Sequence, residues 1–253
     1  MRRSWRTAWI TGAGSGIGRA LALELARRDV RIAASGRSPA KLHALVAECP
    51  AVTAFPLDVT DREAMRTAVT EIEQRLAPID LAIFSAGVWR SVGVSAFDAA
   101  PIAAAMQVNY LGVVNGIDAA LPSMLARGSG QLALISSIAG YRGFPRTAAY
   151  APTKAALISL AECLKPELDR KGVAISVVNP GFVATPMNAD SKGPMPFIIS
   201  AEDAAKRIVA GLERGSFEIA FPWQMVLIAK LFRMLPNPLF FWYLRRRRAA
   251  RSS

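Results

Sequence analysis

A tyrosine and a lysine stand four residues apart, Tyr150-Ala-Pro-Thr-Lys154, thirteen residues after Ser137. At that spacing a phenol and an ammonium share one helix face and can meet. A free phenol titrates at about 10 and is useless as an acid at neutral pH. A positive charge about 5 Å away, at an effective dielectric of about 20, is worth roughly 3 kcal/mol. That is about two pKa units, enough to bring Tyr150 toward about 7.5. The expected tuning is by a neighbouring charge, not by burial. Ser137, at a strand end, can donate to a substrate oxygen and steady developing charge. Each also has an ordinary reading, as a surface pair and as a turn or cap serine.

A second constellation opens the chain: Thr11-Gly12-Ala-Gly14-Ser15-Gly16-Ile17-Gly18. Glycines between a first strand and a first helix let backbone amides approach a pyrophosphate at the helix N-terminus. A dinucleotide and an acidified phenol together move a hydride and a proton. The end of strand two selects the cofactor. An acidic residue there would take the ribose hydroxyls, but this chain has Ser35-Gly36-Arg37. Arg37 offers a guanidinium fork to a 2′-phosphate, so NADP is favoured over NAD. The alternative is an ordinary surface arginine. Asp58 and Val59, after strand three, would lie beside the adenine, and a cap on the next turn is an equal reading of Asp58.

Strands and helices alternate to position these groups. Strands are expected over Thr7–Thr11, Val30–Ser35, Val52–Leu57, Ile79–Ser85, Gln131–Ser136, Val173–Val178 and Phe217–Phe221. Helices are expected over Gly16–Arg28, from Ser38-Pro39, from a Thr60 or Asp61 cap, and over Pro101–Arg127, Ala148–Arg170 and Ala201–Arg214. Pro152 requires the Tyr150 helix to begin close to Tyr150. Apolar strands without alternation mean a parallel sheet covered on both faces, a doubly wound α/β fold in three layers. Ala184–Ile199, rich in Pro and Gly, reads as a lid over a site. Asn109 lies inside a long apolar helix, where asparagine is a poor resident and needs partners. Asp118 on the same helix reads as structural.

The 253 residues suit one large domain, and 52% of them are apolar. One histidine, His43, excludes a multi-histidine metal site, and no metal is expected. Cys49 and Cys163, far apart, read as reduced and buried thiols of a cytoplasmic protein. No apolar segment of the secretory kind follows Arg2 and Arg3. The net charge of +12 gathers at the ends: Arg2, Arg3 and Arg6, then Arg245–Arg248 and Arg251.

Taken together, these motifs resemble the short-chain dehydrogenase/reductase family over about residues 5 to 221. The matching residues are Thr11-Gly12-x-x-x-Gly16-x-Gly18, Leu57-Asp58-Val59, Ala86-Gly87, Asn109, Ser137, Tyr150-x-x-x-Lys154 and Asn179-Pro180-Gly181. The resemblance implies a seven-stranded parallel Rossmann sheet ordered 3-2-1-4-5-6-7, commonly in dimers or tetramers. It implies Asn109, Ser137, Tyr150 and Lys154 as the catalytic set, Asn109 holding a water in a relay to Lys154. Lys154 would also bind the nicotinamide ribose, and Thr185 the carboxamide. Implied cofactor contacts further include Gly12, Ser15, Gly16, Ile17, Gly18, Arg37, Asp58, Val59, Ala86, Gly87, Tyr150, Pro180, Gly181 and Val183. The family's usual two asparagines after strand four are Phe84-Ser85 here, so that hydrogen bonding must be made otherwise.

Residues 1–221 thus read as the dinucleotide-binding and catalytic domain, and 222–253 as an apolar, aromatic and polybasic extension. Lys230, Arg233 and two prolines make the extension a poor membrane-spanning helix. Two readings stay open: an interfacial segment with its arginines on anionic headgroups, on the inner face of a membrane, or a cover for the substrate pocket or a subunit interface. The expected function is NADP-dependent interconversion of a ketone or aldehyde and an alcohol, lipophilic if the membrane reading holds. A non-catalytic NADP sensor or scaffold is the rival. Nucleic-acid binding lacks any base-reading element.

Overall fold

Short apolar strands buried on both faces are characteristic of a parallel sheet covered by helices. The computed structural model, which describes residues 4–189 and 193–249, contains such a sheet. Its strands are β1 (Thr7–Thr11), β2 (Arg31–Gly36), β3 (Val52–Pro56), β4 (Leu81–Phe84), β5 (Gly130–Ile135), β6 (Val173–Pro180) and β7 (Glu218–Phe221). All pairings are parallel, in the order β3-β2-β1-β4-β5-β6-β7. The chain therefore reverses its direction of winding between β1 and β4, where such sheets open a crevice at their carboxyl ends.

Helices cover both faces. On one side α1 (Gly16–Ala26), α2 (Pro39–Glu48) and α7 (Ala201–Glu213) bury Leu21, Leu25, Leu42 and Ile208. On the other, α3 (Arg62–Arg75), α5 (Gly112–Arg127) and α6 (Ala151–Arg170) bury Met65, Ile72, Val113 and Leu157. Ser38, with Pro39 behind it, caps α2 through the Lys41 amide, and Asp61, not Thr60, caps α3. Asp118 ties α5 to α3 through Arg62 and Arg66, each 3.1 Å away.

The helix expected over Pro101–Arg127 is not continuous. It divides into α4 (Ala99–Met106) and α5, joined by a wide π-turn over Gln107–Leu111. The turn carries Asn109 inward, and hydrogen bonds to distant residues offset the poor local helix geometry. Ser85 departs from expectation too, lying beyond β4. Of the two readings of Asp58 the turn cap is met: its carboxylate accepts from the Thr60 amide and hydroxyl, both at 2.9 Å. The thiols are free but not both buried: Cys163 is exposed on α6 and Cys49 partly so.

The extension forms α8 (Trp223–Met234) and α9 (Asn237–Ala249), packed against the sheet domain. Phe144 meets Phe232 and Phe240 edge-to-face, with centroids 5.6 and 5.5 Å away. Arg142 donates to the Arg233 and Leu235 carbonyls and to Asn237 Oδ1, at 3.3, 3.2 and 2.7 Å. Lys230 pairs with Glu218 at 2.6 Å. Among the described residues no helix is long and apolar enough to cross a membrane. Arg2, Arg3 and Arg251 lie outside the described residues, as do the side chains of Arg247 and Arg248 and the middle of the expected lid.

Candidate active site

A cavity of about 1130 Å³ opens at the carboxyl ends of β1, β4, β5 and β6. Its floor is the glycine turn. Gly12 has φ +69°, and a side chain on it would bring Cβ within 2.7 Å of the Ala86 amide nitrogen. Gly16, at φ +54°, would meet Thr185 at 3.1 Å. Only glycine fits either position. The Ser15 side chain makes no cap for α1, and Ser15, Gly16, Ile17 and Gly18 all line the cavity. A helix start with this bare first turn suits a phosphate group.

Ser137, Tyr150 and Lys154 share the cavity wall. Pro152 costs α6 nothing, because the helix starts at Ala151 and the Thr147 carbonyl takes the Tyr150 and Ala151 amides. Lys154 Nζ stands 5.4 Å from the centroid of the Tyr150 ring and donates to the Ile135 carbonyl at 2.8 Å. Ser137 lies on the same wall as Tyr150, donates to the Pro180 carbonyl at 3.3 Å and accepts from the Ala139 amide.

The protonation of this pair corrects the expectation of a phenol near neutrality. Burial pushes Tyr150 up to about 12, against a smaller lowering by the Ser137 hydroxyl. Burial likewise pushes Lys154 down to about 8. In the protein alone desolvation sets the direction of both shifts. At neutral pH Tyr150 is a protonated phenol and Lys154 an ammonium, the state needed to give a proton.

Asn109 lies behind this wall and not in it. It is fully buried, and its Oδ1 accepts from the Val88 amide at 2.7 Å. Its Nδ2 donates to the Val88 carbonyl at 3.0 Å and to Thr153 Oγ1 at 3.1 Å. It thus braces the segment after β4 against α6. Thr11 Oγ1 accepts from the Ser85 and Ala86 amides at 3.2 and 3.4 Å, another share of the bonding around the missing asparagines. Ala86 and Gly87 line the cavity, and a Cβ on Gly87 would be 3.8 Å from Lys154 Nζ.

Pro180, Gly181, Val183 and Thr185 also line the cavity. A short bridge between Val183 and Ile199 closes the base of the Ala184–Ile199 loop, whose Met187 and Met195 hang over the site. Arg37, Asp58 and Val59 are not in this wall. Exposed Arg37 follows Gly36, whose Cβ position is 4.0 Å from the Gly14 nitrogen, so it flanks the far end of the glycine turn. Val59 is buried, its carbonyl accepting from Asn115.

Sequence reasoning missed several contributors. Buried Ser136 donates to the Lys154 carbonyl at 2.8 Å and fixes the start of α6. Adjacent serines, Ser136 and Ser137, were the available signal. Lys41 lies over Gly14, its Cβ 3.1 Å from the position a Gly14 Cβ would take. Met225, Ile228, Phe232 and Tyr243 bring the extension into the cavity wall. Of the alternatives open for the extension, covering the pocket is therefore realised.

A family profile described as short chain dehydrogenase matches residues 6–195. An uncharacterized oxidoreductase of Myxococcus xanthus (strain DK1622) is 38% identical over 241 residues, 94% of this chain and 95% of that one. Among solved structures, a short chain dehydrogenase from Burkholderia cenocepacia J2315 in complex with NADP superposes with a TM-score of 0.83. It is 27% identical, covering 96% of this chain and 99% of that one. An actinorhodin polyketide ketoreductase variant with NADPH shares the fold, at TM-score 0.80 and 21% identity, over 88% and 97% of the two chains.

Proposed function

The chain belongs to the short-chain dehydrogenase family, and on that premise we propose that it is an NADP-dependent enzyme interconverting a ketone or aldehyde and an alcohol. The family is one of oxidoreductases that use NAD or NADP. The observation that carries the finer reading is the meeting of Ser137, Tyr150 and Lys154 on one wall of a cavity floored by the glycine turn. When bound, the nicotinamide supplies the hydride in reduction and accepts it in oxidation.

The chain's own residues do the rest. In reduction Ser137 holds the substrate oxygen by its hydroxyl, and Tyr150 passes its proton to that oxygen as the carbon gains hydride. The Lys154 ammonium stabilises the phenolate left behind, and its position suits a hydrogen bond to the nicotinamide ribose. Asn109 is a positioning residue that keeps α6 in place, with a water relay through it a further reading. Arg37 and Lys41 flank the glycine turn as two cations for a 2′-phosphate, which supports NADP, as does the NADP complex of the Burkholderia relative. Asp58 and Val59 bound the adenosine end.

The cavity walls beyond the catalytic residues are largely apolar, with Phe144, Phe182, Met187, Met225 and Phe232 among them. That supports a lipophilic substrate. A cytoplasmic homo-oligomer, with segment 222–251 as the part in peripheral contact with a membrane, completes the reading.

A panel of ketones and aldehydes followed through NADPH consumption tests it. Tyr150→Phe is expected to lower kcat by roughly 10²–10⁴-fold while leaving NADPH binding in place. Undiminished turnover in that variant would refute the assignment of the acid. NADPH binding without turnover of any substrate would favour a sensor.

A further inference from the structure

Helix α8 is apolar on two opposite faces. Met225, Ile228, Ala229 and Phe232 point into the cavity. Trp223, Leu227, Leu231 and Met234, spaced by four, four and three residues, form the opposite stripe. These four are 69%, 53%, 56% and 79% exposed. Helix α9 continues the surface with Leu239 and Trp242, about half exposed. Contiguous apolar surface of this kind marks an interaction site.

The charge around the patch chooses the occupant. From Ile219 to the end the chain has no Asp or Glu, while it carries Lys230, Arg233, Arg245–Arg248 and Arg251. Arg233, Arg245 and Arg246 are exposed, and among the described residues none pairs with a carboxylate. The Arg246 guanidinium sits 4.7 Å from the Trp242 ring centroid, a cation beside an interfacial aromatic. A second copy related by a two-fold axis would set these like charges against one another. An anionic bilayer satisfies both the apolar stripe and the arginines.

We propose that the outer faces of α8 and α9 lie in the surface of an anionic lipid bilayer, and that α8 is the partition between bilayer and substrate cavity. Ile228 lines the cavity while its neighbour Leu227 lies outside it and is 53% exposed, so at that point the partition is a single helix. Phe197 and Ile198, at the end of the lid loop, share a groove with Trp223 and extend the apolar rim. Substrate would reach Tyr150 from the acyl layer. This deepens the lipophilic-substrate reading and rests on it for the route, but not for the docking.

The test uses the full chain with vesicles of phosphatidylglycerol and phosphatidylcholine, and with phosphatidylcholine alone. The protein is expected to co-sediment with the anionic vesicles, less with the neutral ones, and to be released by high salt. Leu227→Asp together with Leu231→Asp removes two side chains that touch neither cavity nor core. Losing their burial is expected to weaken vesicle binding by roughly a hundredfold or more. Turnover of a small water-soluble ketone should be unchanged in the same variant. Wild-type protein left in the supernatant, equal binding to both vesicle types, or full binding by the double variant would each overturn the proposal. So would sedimentation velocity showing a wild-type oligomer that the double variant dissolves, because the stripe would then be a subunit contact. Vesicle binding with no turnover of any carbonyl compound would leave the docking standing and sink the chemistry.

Discussion

On one side of the cavity Asn109, Ser136 and Lys154 are held by hydrogen bonds of 2.7 to 3.1 Å, most of them to backbone. On the other side Phe232 and Phe240 lean on Phe144 through ring contacts near 5.5 Å, and one arginine secures the corner between their helices. Hydrogen bonds have narrow geometry, whereas ring contacts tolerate shifts and substitutions. The strand side therefore suits atoms whose placement decides the reaction. The helical side suits a wall whose shape decides what is admitted.

The contrast can be broken by variants on either side. Lys154→Met should lower kcat by roughly 10²–10⁴-fold for large and small substrates alike, because it acts on the proton donor. A loss confined to large substrates would put Lys154 in the wrong class. Phe232→Ala should raise KM for lipophilic ketones by roughly 10–200-fold and leave a small ketone nearly untouched. An equal fall in kcat for both would mean the helical side also sets the reacting geometry. Arg37→Ala, at the far end of the glycine turn, should weaken NADPH by about tenfold with little change in NADH affinity. Equal change for both cofactors would make Arg37 a bystander.

The smallest effect is on stability against pH. The folded pKa of Lys154, about 8, lies below its ordinary 10.5. Between those values the unfolded chain holds a proton that the folded protein has released, so wild-type stability rises with pH across that window. Lys154→Met lacks this rise. The melting temperature of the wild type should gain a few degrees on the variant between pH 8 and 10.5, and hold a constant offset below pH 8. A gap that does not move would show that burial does not govern Lys154.

The strand side was the legible one. β1 spans the expected Thr7–Thr11, and the other strands fall within a few residues of expectation, because buried parallel strands write apolar runs between turn residues. Tyr150, Lys154, Ser137 and the glycine turn are local patterns, and the structure brings them to one cavity. What was not legible depends on distant partners. The π-turn exists because Asn109 reaches Val88, 21 residues back, and Thr153, 44 residues on. The direction of the Tyr150 shift depends on how deeply neighbouring elements bury it, which spacing alone does not state. The place of α8 was ambiguous because a helix apolar on both faces has no periodic preference for one of them.

The π-turn makes α4 and α5 two helices with different phase. Residues 107–111 hold one more position than a regular helix would need, so everything after them is turned relative to what precedes. Deleting one of these residues would let the ladder close into a single straight rod. Asn109 would swing by about 100° around that rod, and its carboxamide would leave the Val88 peptide. The extra residue of the turn is thus what aims Asn109 at Val88 and Thr153, and through them steadies the helix that carries the proton donor.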